Sequence, residues 1–419
     1  MKIAPQIAVP VAKDRAVARS AVKVCLHIVR TACTDVRAMR AATALVEAGY
    51  KVSIVDVEVE RSRPLEESVH GISMKHIHTP GWHRSRAFEP WFFVKALQTF
   101  IISIQRLLET RADIYHASEV TALPACYIVA KLRRKPLIYE AYELPLFDVP
   151  LSEMGMLRRC FHGLLTILLR LMIPQCAAVI AVSPPIVREI RNRYHVPRML
   201  LLRNTPTYKS VSKSDRLRQY LGLSPNKRIA LYQGNLQAGR GLDVLVQAAA
   251  FLQQDVVIVL MGKDFGTTRS QLEALIAKEN VSDRVRIVPA VAYEELLDWT
   301  ASADLGLTII PLDYTLNTNM WLPNKFFEYL MAGLPVLSAP LEAITEIIRA
   351  YDVGQIVPSL TPADVGAAMN AMLADHDALA RMRCSALKVA ESEFCWEKES
   401  QQLITLYTDI LLVHKPSSS

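Results

Sequence analysis

The chain has 419 residues, 51% hydrophobic and 21% charged, which suits two globular domains with sizeable cores and excludes a disordered or fibrous protein. Its seven cysteines are scattered and odd in number, without a CxxC or Cys/His cluster, which argues against a disulfide framework or a zinc site and fits the cytoplasm. Residues 1–210 carry 30 Lys and Arg against 17 Asp and Glu, a net +13, whereas the rest carries 18 against 24, a net −6. The basic half suits anionic lipid or a phosphorylated substrate; nucleic acid is disfavoured because no nucleic-acid-binding motif is visible.

Residues 1–20, broken by Pro5 and Pro10, read as a disordered tail and not a signal peptide. An N-terminal domain is expected over 21–205. The run "AVKVCLHIV" (21–29) is a buried strand, with His27 in its core. "DVRAMRAATALVEAGY" (35–50) has helical spacing and stops at Gly49, and "KVSIVDV" (51–57) is the next strand. "DIYHA" (113–117), "PLIYEA" (136–141) and "AAVIAVS" (177–183) are further strands between helical segments. Cys160–Val182 is the most apolar long stretch, but Arg170 and Pro174 interrupt it; it reads as a helix followed by a strand, not a membrane span.

The apolar rhythm stops at "RNTPTYKSVSKSDR" (203–216), the best interdomain linker, and a second domain is expected over 206–393. Its strands are 228–234, 256–262, 284–290, 304–310 and 334–339. The last helix, in 394–419, is expected to pack back across both domains. Continuous apolar strands alternating with helices imply two parallel sheets, each covered on both faces, with a cleft between them. Ligands in such folds sit beyond the carboxyl ends of the strands.

Two stretches in the second half carry chemistry. In "QGNLQAGRGLDVLVQAAAFL" (233–252), Gly234, Gly239 and Gly241 permit tight turns and close approach of a ligand. Arg240 stands beside a helix N-terminus that favours anions. In "WLPNKFFEYLMAGLPVLSA" (321–339), Pro323 opens a helix that Gly333 and Pro335 close. Lys325 and Glu328 are three apart and share a side, either as a surface ion pair or as groups for phosphate and a sugar diol.

Together with "DVRAMRAATALVEAGYKVSIVDV", "ADIYHASEVTALPA", "LIYEAYELP" and "EFCWEKESQQLITLY" in the remaining chain, these two stretches resemble GT-B fold glycosyltransferases of the large group similar to family 4. The resemblance runs from about residue 22 to 412, and its most specific part is the "PNKxFEYLxAGxPV" run. It implies two Rossmann-like domains and transfer of a sugar from a UDP- or GDP-sugar to a glycan or lipid-linked acceptor, in bacterial surface-polysaccharide synthesis, without a cofactor or metal; no convincing DxD motif is present. On this resemblance the donor is bound by Gly234, Asn235, Arg240, Gly241, Gly262, Asn324, Lys325 and Glu328. Arg240 meets phosphate and Glu328 the ribose, and Lys325, Arg240 and Glu143 are the catalytic candidates. The chain departs from the family pattern at three positions. Met320 stands where a first glutamate, which usually positions the donor sugar, is expected; Asn235 replaces an arginine; Tyr142 replaces a histidine.

Acceptor-side candidates are Asp35, Arg37, His116, Glu119, Tyr142 and Glu143, all close to strand ends; Glu143, Glu119 and Asp35 are possible general bases. His116 also reads as a satisfied structural histidine. In "GWHRSRAFEPWFFVKALQTFIISIQRLL" (81–108), Trp82, Trp91, Phe92 and Phe93 mix with Arg84, Arg86 and Lys95. With Arg158, Arg159 and Arg170 they suggest peripheral attachment to an anionic membrane, on its inner face; the alternative is an amphipathic core helix with a solvated loop. Two other readings stay open: a sugar-nucleotide epimerase of the same fold, and a non-catalytic nucleotide-sugar-binding protein.

Overall fold

The computed structural model describes residues 22–58, 62–79, 90–145 and 156–414. The expected tail 1–20 lies outside them, as do Trp82, Arg84 and Arg86 and the side chains of Trp91, Phe92, Phe93 and Arg158. Two open α/β sheets stand in tandem. The first has strands β1 (Lys23–Ile28), β2 (Lys51–Glu58), β3 (Glu66–Val69), β4 (Ile72–His78), β5 (Ile114–Ser118), β6 (Leu137–Ala141), β7 (Ala178–Ala181) and β8 (Met199–Leu201). Their order is β3-β4-β2-β1-β5-β6-β7-β8. The second has β9 (Arg228–Gln233), β10 (Val256–Gly262), β11 (Val285–Pro289), β12 (Leu305–Thr308), β13 (Val336–Ser338) and β14 (Gly354–Ile356), ordered β11-β10-β9-β12-β13-β14. β1, β5, β6 and β7 are buried along nearly their whole length, as strands covered by helices on both faces must be.

The first sheet is not wholly parallel. β3 pairs antiparallel with β4 across the turn at His70 and Gly71 and forms an edge. Its sequence, EESV, alternates between exposed and partly covered residues, which suits an edge and hides it from a search for apolar runs. The segment read as a helix followed by a strand is the helix Met156–Met172 followed by β7.

The chain crosses between the domains twice. The first crossing is at 202–206. The helix His376–Ser392 stays with the second domain, and Phe394 and Cys395 belong to that domain's core. The closing segment divides between the two cores, with Phe394 and Cys395 in the second and the helix Trp396–Val413 against the first. Its Trp396, Leu403, Leu406, Tyr407 and Ile410 join Leu26, Leu45 and Ile54 in the core of the first. The two crossings touch: the Trp396 amide donates to the Pro206 carbonyl at 2.8 Å.

Candidate active site

The donor-side cluster assembles at the carboxyl ends of β9 and β10. Here the backbones approach so closely that a Cβ on Gly262 would sit 1.7 Å from the Gly234 carbonyl oxygen, and one on Gly241 1.8 Å from that of Ile309. Gly241, at φ +74°, opens the short helix Leu242–Ala248. The helix Asn324–Met331 packs under the same edge and is buried from Lys325 to Met331. The Tyr329 hydroxyl fixes it there, donating to the Leu231 carbonyl at 3.0 Å and accepting from the Gln233 amide at 2.9 Å.

This packing carries Lys325 and Glu328 into the cleft, where they are only 7% and 9% exposed; they are not a surface pair. The Lys325 ammonium lies 3.5 Å from the centre of the Tyr232 ring and has no hydrogen-bond partner among the described residues. Burial pushes it well below the usual lysine range, and the nearby Arg240 adds to this; Glu328 opposes. The Nε of Arg240 is likewise buried and unpartnered among the described residues, and its guanidinium sits 5.9 Å from the centre of the Tyr314 ring. A buried cation without a partner is costly unless an anion completes it. Glu328 accepts from Gln233 Nε2 at 2.5 Å, and Gln233 Oε1 accepts from the Thr300 hydroxyl at 2.6 Å. Burial raises the Glu328 carboxyl, while Gln233, Arg40 and Lys325 pull it back. Asn235 supplies its carbonyl to the Tyr232 hydroxyl at 3.0 Å.

The first domain reaches this cluster through the linker. Arg40 donates to the Thr205 carbonyl at 2.8 Å and, across the cleft, to the Tyr293 hydroxyl at 2.7 Å. Asn204 donates to the Asn324 side chain at 2.8 Å. The Leu144 amide donates to Asn317 Oδ1 at 3.2 Å, and Met320 is buried in the core of the first domain.

The acceptor-side candidates divide into two groups. Arg37 and His116 are fully buried. Arg37 donates to Glu140 at 2.7 Å and to the Leu202 carbonyl at 2.8 Å. His116 Nε2 lies 3.0 Å from the other Glu140 oxygen, and its Nδ1 lies 2.6 Å from the Tyr407 hydroxyl. Burial alone would raise the Glu140 carboxyl, but the Arg37 charge and His116 bring it down to about 2. This network ties the first sheet to the linker and the last helix; Arg37 Nη1 is its one guanidinium nitrogen without a hydrogen-bond partner among the described residues. Asp35 caps the helix Val36–Glu47 at the Ala38 amide and stands 3.6 Å from Arg30. Arg30 also pairs with Glu119. Arg30, Glu119, Tyr142 and Glu143 line a cavity of about 190 Å³, and Tyr142 lies between Arg30 and Arg37, 5.9 and 5.3 Å from its ring centre. Of the candidates, only Glu119, Tyr142 and Glu143 therefore meet at one opening.

A larger recess, about 390 Å³, lies at the opposite, amino end of the second sheet around Arg218, Asp304 and Arg383. Arg218 there already donates to the Ser302 and Lys227 carbonyls and pairs with Asp304, so its charge is matched internally. Sequence reasoning missed Gln233, Tyr232, Arg40 and Tyr293. Gln233 had a signal, since it is a polar residue ending an otherwise apolar strand directly before the glycine loop.

Residues 213–389 match the family model for glycosyl transferases group 1, and residues 35–203 that for glycosyltransferase family 4. The chain is 29% identical to the D-inositol 3-phosphate glycosyltransferase of Xylanimonas cellulosilytica over 198 residues, 46% of this chain and 44% of that protein. It is 28% identical to that of Thermobispora bispora over 239 residues, 54% of each. The chain thus spans about half the length of the curated relatives it matches. Among solved structures, sucrose-phosphate synthase from Thermosynechococcus elongatus superposes with a TM-score of 0.77 at 15% identity, covering 94% of this chain and all of that one. HepE from Anabaena, in complex with UDP and glucose, gives 0.68 at 15%, covering 93% and 100%. WaaG, a glycosyltransferase involved in lipopolysaccharide biosynthesis, gives 0.64 at 16%, covering 94% and 100%.

Proposed function

Because the chain belongs to the group 1 glycosyltransferases, with the GT-B fold, we propose that it moves a sugar from a UDP- or GDP-sugar to a glycan or lipid-linked acceptor. The observation that carries this reading is the buried Lys325 ammonium, unpartnered among the described residues, beside Arg240. A nucleoside diphosphate supplies the anion both cations lack. Its ribose diol suits Glu328, held in place by Gln233. As the sugar leaves, charge grows on the diphosphate, and Lys325, Arg240 and the first-turn amides of the helix Leu242–Ala248 would stabilise it. This electrostatic route needs no resident metal. On the other side, Glu143 and Glu119 border the cavity where the acceptor hydroxyl would enter, and Glu143 is the proposed base.

A thermal-shift panel of UDP, GDP, ADP and their sugars tests this. A shift with one nucleotide class is expected; no shift with any of them would refute the donor site. Product analysis without added acceptor separates transfer from epimerisation.

The acceptor is assigned to bacterial surface-polysaccharide synthesis on the company of WaaG and on a membrane-suited face. No helix of the described residues is long and apolar enough to cross a membrane. Yet Val94, Leu97 and Ile101 on the helix Pro90–Thr110, and Leu164, Ile167 and Leu171 on Met156–Met172, are about half exposed. Arg159 and Arg170 are exposed on the latter helix. Apolar side chains with flanking cations suit the inner face of an anionic membrane. Binding to vesicles should need anionic lipid and fall with salt; binding indifferent to both would remove this part of the reading.

A further inference from the structure

We propose that Tyr314 and Trp321 form an aromatic ledge that receives the sugar ring of the donor. This rests on the transferase reading above and addresses what that reading leaves open, the recognition of the sugar. The position where a glutamate is expected holds Met320, whose side chain is buried in the core of the first domain. The neighbouring polar side chains are also engaged. Asn317 accepts from the Leu144 amide, and Asn319 exchanges hydrogen bonds with Glu342, its Oδ1 accepting the backbone amide at 2.9 Å. The loop after β12 thus presents few free polar groups to a sugar.

What it presents instead is aromatic. The Tyr314 ring lies 5.9 Å from the Arg240 guanidinium and packs directly over the Gly239 backbone, where an added Cβ would meet it at 2.9 Å. Trp321 meets Tyr314 edge to face, with centroids 5.8 Å apart. Both rings are only partly covered. In a nucleotide sugar one oxygen separates the sugar ring from the outer phosphate. If Arg240 holds that phosphate, the surface beside Arg240 is where the sugar lies. The axial C–H groups of a hexose form an apolar face that stacks on an aromatic ring, while its hydroxyls stay at the edges. Asp313, exposed in the same loop, is the one rival, as a carboxylate that could bind hydroxyls directly.

The test uses the full chain and calorimetric binding of UDP, UDP-glucose, GDP and GDP-mannose, followed by kinetics with the pair that binds. Trp321→Ala should weaken the nucleotide sugar about tenfold and raise its KM while leaving the bare nucleoside diphosphate within about twofold and kcat little changed. Trp321→Phe should restore most of the loss. Equal weakening of both ligands would mean that Trp321 merely shapes the loop and would overturn the ledge. So would a loss that follows Asp313→Ala while Trp321→Ala binds normally. If the unmodified protein binds none of the four ligands, the transferase reading itself fails, and the ledge with it.

Discussion

In the first domain, Arg37, Glu140, His116 and Tyr407 are buried, and each faces another member of the group. In the second domain, Lys325 Nζ and the Nε of Arg240 are buried without a polar partner among the described residues. Both regions take charge out of water, and both lie near the ends of parallel strands. The difference is what completes them. In the first, the Arg37 charge is matched by the Glu140 carboxylate, although Arg37 Nη1 makes no hydrogen bond among the described residues; in the second, Lys325 has no ion-pair partner among the described residues, which suits a site for an anionic ligand. Type and spacing of residues do not separate these cases, since Arg37 and Lys325 are each cations near a helix start.

Substitutions should therefore have opposite signs in the two regions. Arg37→Met removes one partner of a buried network and should cost about 3–5 kcal/mol in denaturant unfolding. A cost below about 1 kcal/mol would mean that the network is not structural. Lys325→Met should leave ligand-free stability unchanged or raise it by up to about 1–3 kcal/mol, yet lower turnover about 10²–10³-fold. Turnover within threefold of the parent would end the assignment. Titration sharpens the contrast. Glu140, held at about 2, contributes stability that is fully present above its usual value of 4.5 and lost as pH falls toward about 2; Glu140→Gln should flatten that acid limb. Lys325 has a depressed pKa, and a bound diphosphate would raise it. Nucleotide binding should then take up a proton over the pH range between the two values, measurable as heats that vary with the ionisation enthalpy of the buffer. Buffer-independent heats throughout would contradict it. Smallest is the link across the cleft: Arg40→Ala removes the hydrogen bond to Tyr293 and should weaken nucleotide binding about tenfold or less. An unchanged affinity would show that the cleft closes without it.

Much of the fold was readable because buried parallel strands announce themselves as apolar runs, as in "VVIVLMG" and "KVSIVDV". β3 and β4 were not, because a half-exposed edge hairpin has no such run. Lys325 and Glu328 stood out as charges inside an aromatic helix. The structural role of His116 became definite only through Tyr407, 291 residues away, and no local pattern reports a partner at that separation. Met320 was visible as a departure, but its burial in the other domain depends on how the domains meet. Tyr314 and Trp321 carried no signal, since aromatic residues in a loop most often serve packing.

The adjacent crossings at Pro206 and Trp396 bear on how this chain could be recombined. Exchanging the first domain for that of another chain of this fold by one cut in the linker would separate His116 from Tyr407 and strip Leu403 and Ile410 from the core they complete. A working chimera needs two cuts, near 205 and 395, so that the final helix travels with the first domain. The first domain is thus a discontinuous unit, and the second is the segment inserted into it.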